Sequence, residues 1–266
     1  MKFKYHLHKK LLKNINFILR KINWFFIFAE NLDFESFFHS LFIFVGIKPL
    51  SKNRILNIKN KKYFIRGGTT DFFYVYENWE SETLKIIKKL KPDIFINIGA
   101  CIGEWPIKLK NTHMIFHLFE PSISSLNSAK INSLLNEVDV NFYGVSLGNS
   151  NKKATLLETN INKGTSFIIE NHDTSKGLIK SLVKMQKLDD YEEKIFSNLK
   201  KKYLILIDAE GYEEEILKGA SKILKRNIDL NIIAECRSEK NLNNLLKILV
   251  NFKFKRICKD NVYFFR

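Results

Sequence analysis

The sequence predicts an α/β fold in which helices cover both faces of a mostly parallel β-sheet. Beyond residue 80, short apolar runs alternate with longer stretches whose apolar residues recur every three to four positions. The short runs are apolar at nearly consecutive positions, which is typical of strands buried on both faces. They are DIFINIG (93–99), MIFHLFEP (114–121), VDVNFYG (138–144), YLILIDAEG (203–211) and LNIIAE (230–235).

Helices are expected between these runs, and a hairpin is expected at the end of the chain. The helical candidates are 81–90, 103–110, 122–136, 212–226 and 241–250. The tail FKFKRICKDNVYFFR holds two strand-like runs around a turn at residues 259–261, so the sheet should end in an antiparallel hairpin. A ligand in such a sheet lies at the carboxyl ends of the strands, where the strand order reverses.

We expect two parts, an N-terminal helical extension over residues 1–62 and one domain over 63–266. Met1 to Ala29 holds seven basic residues and no acid, and its apolar positions from Leu11 to Phe26 are spaced as in a helix. The apolar stretches 22–29 and 41–47 are shorter than the ~20 residues of a membrane span. The extension is either a cap on the main domain or an interfacial helix on anionic lipid.

Composition argues against nucleic acid as the partner and for a cytoplasmic protein. The net charge is +16, but only seven of the 44 basic residues are Arg, and the Lys residues are spread along the whole chain. Such a distribution is typical of a solvated surface. The three cysteines have no metal-binding or C-x-x-C spacing, so we expect reduced thiols, and no signal peptide is recognisable. The sequence does not indicate an oligomeric state.

The stretch IFINIGACIGEW (94–105) suggests a cofactor site. Gly99 and Gly103 stand where a strand turns into a helix, so the backbone can turn tightly and a ligand can approach the helix N-terminus. Glu120 ends the next strand and is positioned to accept hydrogen bonds from the two hydroxyls of a ribose. The turn reads G-x-x-x-G rather than G-x-G-x-x-G, which suits an adenosyl cofactor without a pyrophosphate.

Several motifs, in this order, resemble the FkbM family of S-adenosylmethionine-dependent methyltransferases. They are INIGACIG, LFEPS, YGVSLGN, KLDDY, LIDAEGYEEEILKGA and IIAE, with IRGGTTDFFYVYENW upstream. The resemblance covers about residues 63–265. It implies a class I methyltransferase (Rossmann-like) fold of seven mostly parallel strands with the last one reversed. It also implies S-adenosylmethionine as cofactor and methyl transfer to oxygen, often on a sugar or polyketide hydroxyl.

The resemblance and the strand ends together predict the site. The cofactor-binding residues expected are Asn97, Gly99, Gly103, Glu120 and Ser146; the catalytic residues Asp208 and Glu210; the substrate-binding residues Asp71 and Glu235. Asp208 is expected at the methyl-transfer centre and Glu210 as general base or metal ligand. Alternatively, both acids cap the helix that begins near Gly211, and Glu235 either faces the acceptor or pairs with Arg237. The family usually has Asp at 97 and Asn at 101, where this chain has Asn97 and Cys101.

Three functions follow from these observations. The first is an S-adenosylmethionine-dependent O-methyltransferase acting on a glycan or glycolipid, such as a surface polysaccharide or its lipid-linked precursor, with residues 1–29 near the inner membrane face. The second is RNA methylation, against which stand the few Arg residues and the lack of an aromatic-rich basic strip. The third is a degenerate methyltransferase fold that serves as an interaction module. A divalent metal is left open, but no residue pattern supports one.

Overall fold

The computed structural model describes residues 24, 26–31, 33–44, 52–169 and 178–266. The chain divides into two compact units, residues 1–52 and 53–266. In the first unit, helix α1 spans Phe34–Phe44, and the Asp33 carboxylate accepts the Ser36 N–H at 3.0 Å, as an N-cap does. The helix predicted over 11–26 and all the basic residues of 1–29 lie outside the described residues, apart from Trp24 and Phe26, which are helical.

The second unit contains all the strands of the described chain. They are β1 (Arg54–Ile58), β2 (Lys61–Ile65), β3 (Ile94–Ile98), β4 (Ile115–Phe119), β5 (Val140–Tyr143), β6 (Ser146–Leu147), β7 (Lys152–Glu158), β8 (Phe167–Ile169), β9 (Ile179–Gln186), β10 (Lys202–Ile207), β11 (Asp229–Glu235), β12 (Lys253–Arg256) and β13 (Asn261–Phe265). Its helices are α2 (Ser81–Leu90), α3 (Glu104–Lys108), α4 (Ile123–Asn136), α5 (Glu192–Ile195), α6 (Glu213–Lys218) and α7 (Glu239–Ile248). In the described ranges no helix is both long and apolar enough to cross a bilayer.

The central sheet has seven strands in the order β12-β13-β11-β10-β3-β4-β5. Neighbouring strands from β11 to β5 are parallel, whereas β13 runs antiparallel to β11 and pairs with β12 as a hairpin. The predicted sheet and its reversed last strand are therefore confirmed. The chain passes from β3 outwards through β4 and β5, and then returns to the other side of β3 through β10 and β11. The strand order thus reverses at β3, where such sheets bind ligands.

Buried strands explain why the sheet is parallel and central. Every residue of β3 is buried, and five of the six residues of β10 are buried. Ile96 and Ile98 belong to a core on one face of the sheet, whereas Phe95 and Trp105 of α3 belong to a second core on the opposite face. A parallel sheet covered on both faces needs apolar side chains on both, which is the pattern that the sequence carries.

Two smaller sheets were not expected from the sequence. One has four strands in the order β6-β9-β7-β8. The other is the β1–β2 hairpin, whose two-residue turn places Lys59 and Asn60 at φ +47° and +62°, as a type I′ turn requires. The predicted domain boundary at residue 62 falls inside this hairpin. Buried Asn132 and Asn136 of α4 pair with the β2 backbone by accepting the N–H groups of Phe64 and Lys62.

The predicted elements differ from the observed ones mainly at their ends. The strand predicted over 203–211 ends at Ile207, and the helix predicted over 103–110 is the short α3. The helix predicted over 212–226 is α6 followed by a separate 3-10 turn at Ile223–Lys225. Gly219 lies between the two, and a Cβ there would lie 1.9 Å from the carbonyl oxygen of Gly148. This close approach of two loops is a tertiary contact that helical periodicity does not encode.

Candidate active site

The two glycines of the β3–α3 turn are required by contacts within the protein itself. Gly99 adopts φ +79°, and a Cβ there would lie only 1.8 Å from the carbonyl oxygen of Asp208. Gly103 adopts φ +69° before α3, and its Cβ would lie 2.8 Å from Cβ of Ala129 on α4. Glycine has no Cβ and populates positive φ freely. The first glycine therefore lets the end of β3 pack against the end of β10, and the second lets α4 approach the turn.

Glu120 is held at the carboxyl end of β4 by two backbone donors. Its carboxylate accepts the N–H of Cys101 at 2.8 Å and the N–H of Ser122 at 2.9 Å. Burial raises the pKa of Glu120 to about 7, although both N–H donors and Arg66 favour the charged form. The side chain is thus fixed beside the β3–α3 turn, where the sequence predicts that it meets a ribose.

Cys101 contacts Glu120 through its backbone N–H. It adopts φ +46°, a left-handed conformation uncommon for residues other than glycine and asparagine. That conformation directs its N–H at the Glu120 carboxylate. The asparagine that the family usually carries here tolerates such a backbone better, but the hydrogen bond itself does not require a particular side chain at 101.

A cleft opens at the carboxyl ends of β3, β4 and β10. Four of the predicted residues line it together: Gly99, Glu120, Ser146 and Asp208. Ser146 is buried, and its hydroxyl donates to the carbonyl of Lys184 on β9 at 3.3 Å. The structure thus brings three predicted cofactor-binding residues and one predicted catalytic residue to the same cleft.

Asn97 and Gly103 do not line this cleft. Asn97 is buried in β3 and alternates with Ile96 and Ile98, so it lies on the sheet face that carries Phe95. In the described part of the chain, its side-chain nitrogen has no hydrogen-bond partner. Its role in cofactor binding stays a prediction.

Asp208 follows β10 directly and is partly buried. Its backbone N–H donates to the carbonyl of Ile98 at 3.0 Å, which extends the pairing of the two strands into the site. Burial, together with the negative charges of Glu80, Glu235, Glu210 and Glu213, holds the pKa of the Asp208 carboxyl well above its usual range. A carboxylate with a raised pKa is a stronger proton acceptor, as a general base requires.

Glu210 and Glu235 share one arginine. Nη2 of Arg237 lies 2.5 Å from Glu210 Oε2, and its Nε lies 2.8 Å from Glu235 Oε1. Burial raises the pKa of both carboxyls despite this cation, that of Glu235 to about 7. Glu235 therefore pairs with Arg237, which is one of the two arrangements expected from the sequence. Neither acid lines the cleft that Asp208 lines.

A third acid, Glu213, caps the turn that leads into α6. Its Oε1 accepts the N–H groups of Ala209 and Gly211, both at 3.1 Å. Since this buried carboxylate supplies the capping interactions, the side chains of Asp208 and Glu210 are not needed for them. The capping acid is therefore Glu213, whereas Asp208 and Glu210 were the caps considered from the sequence.

Asp71 is fully buried in an ion pair. Its two carboxylate oxygens accept from Arg66 Nε at 2.7 Å and Nη2 at 2.8 Å. The remaining nitrogen, Nη1, donates to the hydroxyl of Ser125 in the first turn of α4 at 2.9 Å. Asp71 therefore orients an arginine that joins its segment to α4, and it is absent from the cleft lining. Substrate binding by Asp71 stays a prediction.

One wall of the cleft, formed by β7 and by residues 164–168, was not expected from the sequence. Leu156, Gly164, Ser166, Phe167 and Ile168 line the cleft. The loop before them is hydrogen-bonded to the segment after β2. The Thr70 N–H donates to the Ile161 carbonyl at 3.0 Å, and Tyr74 Oη lies 2.5 Å from Asn162 Oδ1. The one sequence feature that indicates this wall is the partly alternating pattern of polar and apolar residues in β7.

Among the described residues, no three histidine, cysteine or acidic side chains lie close enough together to hold a metal ion. Cys101, Cys236 and Cys258 are free thiols.

Solved structures with a similar course of the chain include two nucleic-acid methyltransferases. The tRNA (uracil-54, C5)-methyltransferase of Pyrococcus abyssi, solved in complex with S-adenosyl-L-homocysteine, is 10% identical, with a TM-score of 0.43 over 80% of this chain and 42% of that one. The 16S rRNA N2 G1207 methyltransferase of T. Thermophilus, solved with AdoMet and guanosine, is 10% identical, with a TM-score of 0.45 over 81% of this chain and 50% of that one. The chain thus spans half or less of either protein.

A search of the curated proteins found no match. The family described as "Methyltransferase FkbM domain" matches residues 97–257. This match spans well over half of the chain, and it includes the β3–α3 turn, Glu120, the cleft wall and the acids that follow β10. The chain therefore belongs to the FkbM family of methyltransferases.

Proposed function

We propose that this protein is an S-adenosylmethionine-dependent O-methyltransferase whose acceptor is a hydroxyl group of a glycan or a glycolipid. The observation that carries the proposal is the position of Asp208. It lies in the same cleft as Glu120 and Gly99, at the edge where the strand order reverses, and its carboxyl has a raised pKa. A base beside the cofactor cleft suits a hydroxyl acceptor, because a neutral sugar hydroxyl is a poor nucleophile.

The residues present fit S-adenosylmethionine. Glu120 offers a fixed carboxylate for two ribose hydroxyls, and Phe119, Val145 and Leu147 supply an apolar lining next to it. When bound, the cofactor supplies an electrophilic methyl group on sulfur. The chain has to hold the acceptor oxygen in line with that methyl group, and such orientation can be worth about 7–11 kcal/mol.

Asp208 supplies the second contribution, proton transfer. As a carboxylate it accepts the proton of the acceptor hydroxyl while the oxygen attacks, which typically accelerates a reaction about 10²–10⁴-fold. Arg237 holds Glu210 and Glu235 in place nearby. These two acids are proposed to contact the acceptor, since glycans are bound through hydrogen bonds to their hydroxyl groups.

The first test is a calorimetric titration with S-adenosylmethionine and S-adenosylhomocysteine. We expect micromolar binding by the wild type and at least tenfold weaker binding by Glu120→Ala. If the folded protein gave no heat with either ligand, the enzymatic proposal would fail and the degenerate interaction module would take its place.

The second test follows the methyl group. We expect the protein to transfer tritiated methyl from S-adenosylmethionine to a total lipid-glycan extract, as alkali-stable label. Asp208→Asn should lower this transfer about 10²–10⁴-fold and leave cofactor binding intact. Asp229→Asn makes the same chemical change at the opposite, amino end of β11 and should have no effect. Label found instead in total RNA, and removed by ribonuclease, would replace the glycan acceptor by RNA.

We also propose that residues 1–29 hold the enzyme at the cytoplasmic face of an anionic membrane. The support is their composition of seven basic and no acidic residues interleaved with apolar ones. Sedimentation with anionic vesicles at low salt tests this, and a protein that stays in the supernatant would refute it.

A further inference from the structure

One face of the four-stranded sheet carries an unusual pair of lysines. β7 and β9 run antiparallel, and their register places Lys153 directly opposite Lys184 and Thr155 directly opposite Leu182. Side chains alternate between the two faces of a strand, and directly opposed residues share a face. These four side chains therefore lie on one surface, which we call the Lys153–Lys184 face.

Two features of this face are unfavourable in water. Like charges directly opposite each other on neighbouring strands destabilise the pair. Lys153 and Lys184 are both exposed, and neither forms an ion pair with any residue in the described ranges. On the same face, Leu182 exposes 68% of its surface. An exposed apolar side chain beside Lys153 and Lys184 is what a negatively charged surface with an apolar interior would accept.

We propose that the Lys153–Lys184 face docks on an anionic lipid bilayer, with the lysines at the phosphate groups and Leu182 inserted at the boundary between headgroups and acyl chains. Lysines near an anionic bilayer and an apolar side chain at its interface each contribute to such binding. Nucleic acid fits this face less well. The two strands, KKATLLE and IKSLVKMQ, contain no arginine and no aromatic residue on which a base could stack.

Docking at this face leaves the cleft side of the same strand free. Leu156, which follows Thr155 on β7, lines the candidate cofactor cleft. Since neighbouring residues of a strand point to opposite faces, Leu156 points away from the face that the bilayer would bind. The proposal does not rest on the acceptor or on the catalytic residues, and it adds a contact that is separate from residues 1–29.

The test uses the full chain and sedimentation with vesicles of phosphatidylglycerol and phosphatidylcholine in equal parts. Each lysine near an anionic surface is worth about fivefold in partitioning. We therefore expect Lys153→Gln/Lys184→Gln to bind about 25-fold more weakly and Leu182→Ala to bind severalfold more weakly. Loss of the opposed charges should leave the melting temperature unchanged or slightly higher, which shows that the fold is intact.

The matched control is Lys88→Gln/Lys89→Gln, which removes the same charge from the exposed last turn of α2. We expect this control to keep most of the wild-type binding. Equal losses in the two double variants would mean that only net charge matters and would overturn the proposal. Wild-type vesicle binding by Lys153→Gln/Lys184→Gln would also overturn the proposal, because all membrane contact would then be assigned to residues 1–29. The proposal would fail as well if this double variant lost only RNA binding.

Discussion

Replacing Gly99 by alanine tests how the site is assembled. Gly68 and Gly99 adopt nearly the same left-handed conformation, with φ +73° and +79°. A Cβ at Gly68 would meet no atom within 4 Å, whereas at Gly99 it would lie 1.8 Å from the carbonyl oxygen of Asp208. The two alanine variants therefore share the conformational cost, and only Gly99→Ala adds the steric one.

The expected magnitudes follow from this comparison. An alanine in the left-handed region costs about 1–2 kcal/mol, and the loss of unfolded-state entropy returns about 0.4–1 kcal/mol. Gly68→Ala should therefore lower the free energy of unfolding by about 1 kcal/mol. Overpacking adds about 1–3 kcal/mol, so Gly99→Ala should lower it by about 3 kcal/mol.

Urea unfolding followed by far-UV circular dichroism measures both losses. Calorimetry with S-adenosylmethionine gives a second readout, because the new methyl group has to displace the end of β10 and with it Asp208. We expect Gly99→Ala to weaken cofactor binding and Gly68→Ala to leave it unchanged. Equal destabilisation by the two substitutions, with cofactor binding intact in both, would refute the idea that Gly99 is required by the approach of Asp208.

Three further predictions concern charge and hydrogen bonding. Because the pKa of Glu120 is raised to about 7 and the ribose hydroxyls need the ionised form, calorimetric affinity for S-adenosylmethionine should fall about tenfold between about pH 8 and pH 6; Glu120→Gln should remove this dependence, and a flat wild-type profile would contradict it. Arg237→Ala should raise the pKa of Glu210 further and shift the pH–rate profile of methyl transfer to higher pH. Arg237→Lys should partly restore the wild-type profile. An unshifted profile would count against a role for the pair of Glu210 and Arg237. Asn132→Ala, which removes buried hydrogen bonds to the β2 backbone and the β3–α3 turn, should lower the free energy of unfolding by about 1–3 kcal/mol. Exposed Asn127→Ala on the same helix is the control, and equal unfolding curves would refute the assignment.

The central sheet could be predicted because burial leaves a local signal. β3 and β10 are buried on both faces, so their sequences are nearly continuous apolar runs that end where the strands end. The β7–β9 pair leaves no such signal. Its strands carry lysines on an exposed face, and their pairing joins residues more than twenty positions apart. Lysine is also uncommon in strands, so the sequence indicates this sheet only through the partly alternating run of β7.

The same distinction applies to the candidate site. Gly99, Glu120 and Asp208 each follow directly on a parallel strand, so the shared edge of the sheet brings them together, and the sequence could predict their proximity. The pairing of Arg66 with Asp71, the cap formed by Glu213 and the wall at 164–168 depend on how loops fold over that edge. Loop contacts of this kind carry no periodicity from which they could be read.

The two departures from the family pattern differ in what they change physically. At Cys101 the contact to Glu120 is made by a backbone N–H, so it persists with cysteine, and the substitution costs only the preference of asparagine for a left-handed backbone. At Asn97 a carboxylate is replaced by an amide whose nitrogen has no partner in the described chain. A buried donor without a partner is unfavourable. If the cofactor titration shows weak binding, Asn97 is therefore the first position to change back to aspartate. At Asn97 the chain has lost a charge, whereas at Cys101 it has lost only a conformational preference.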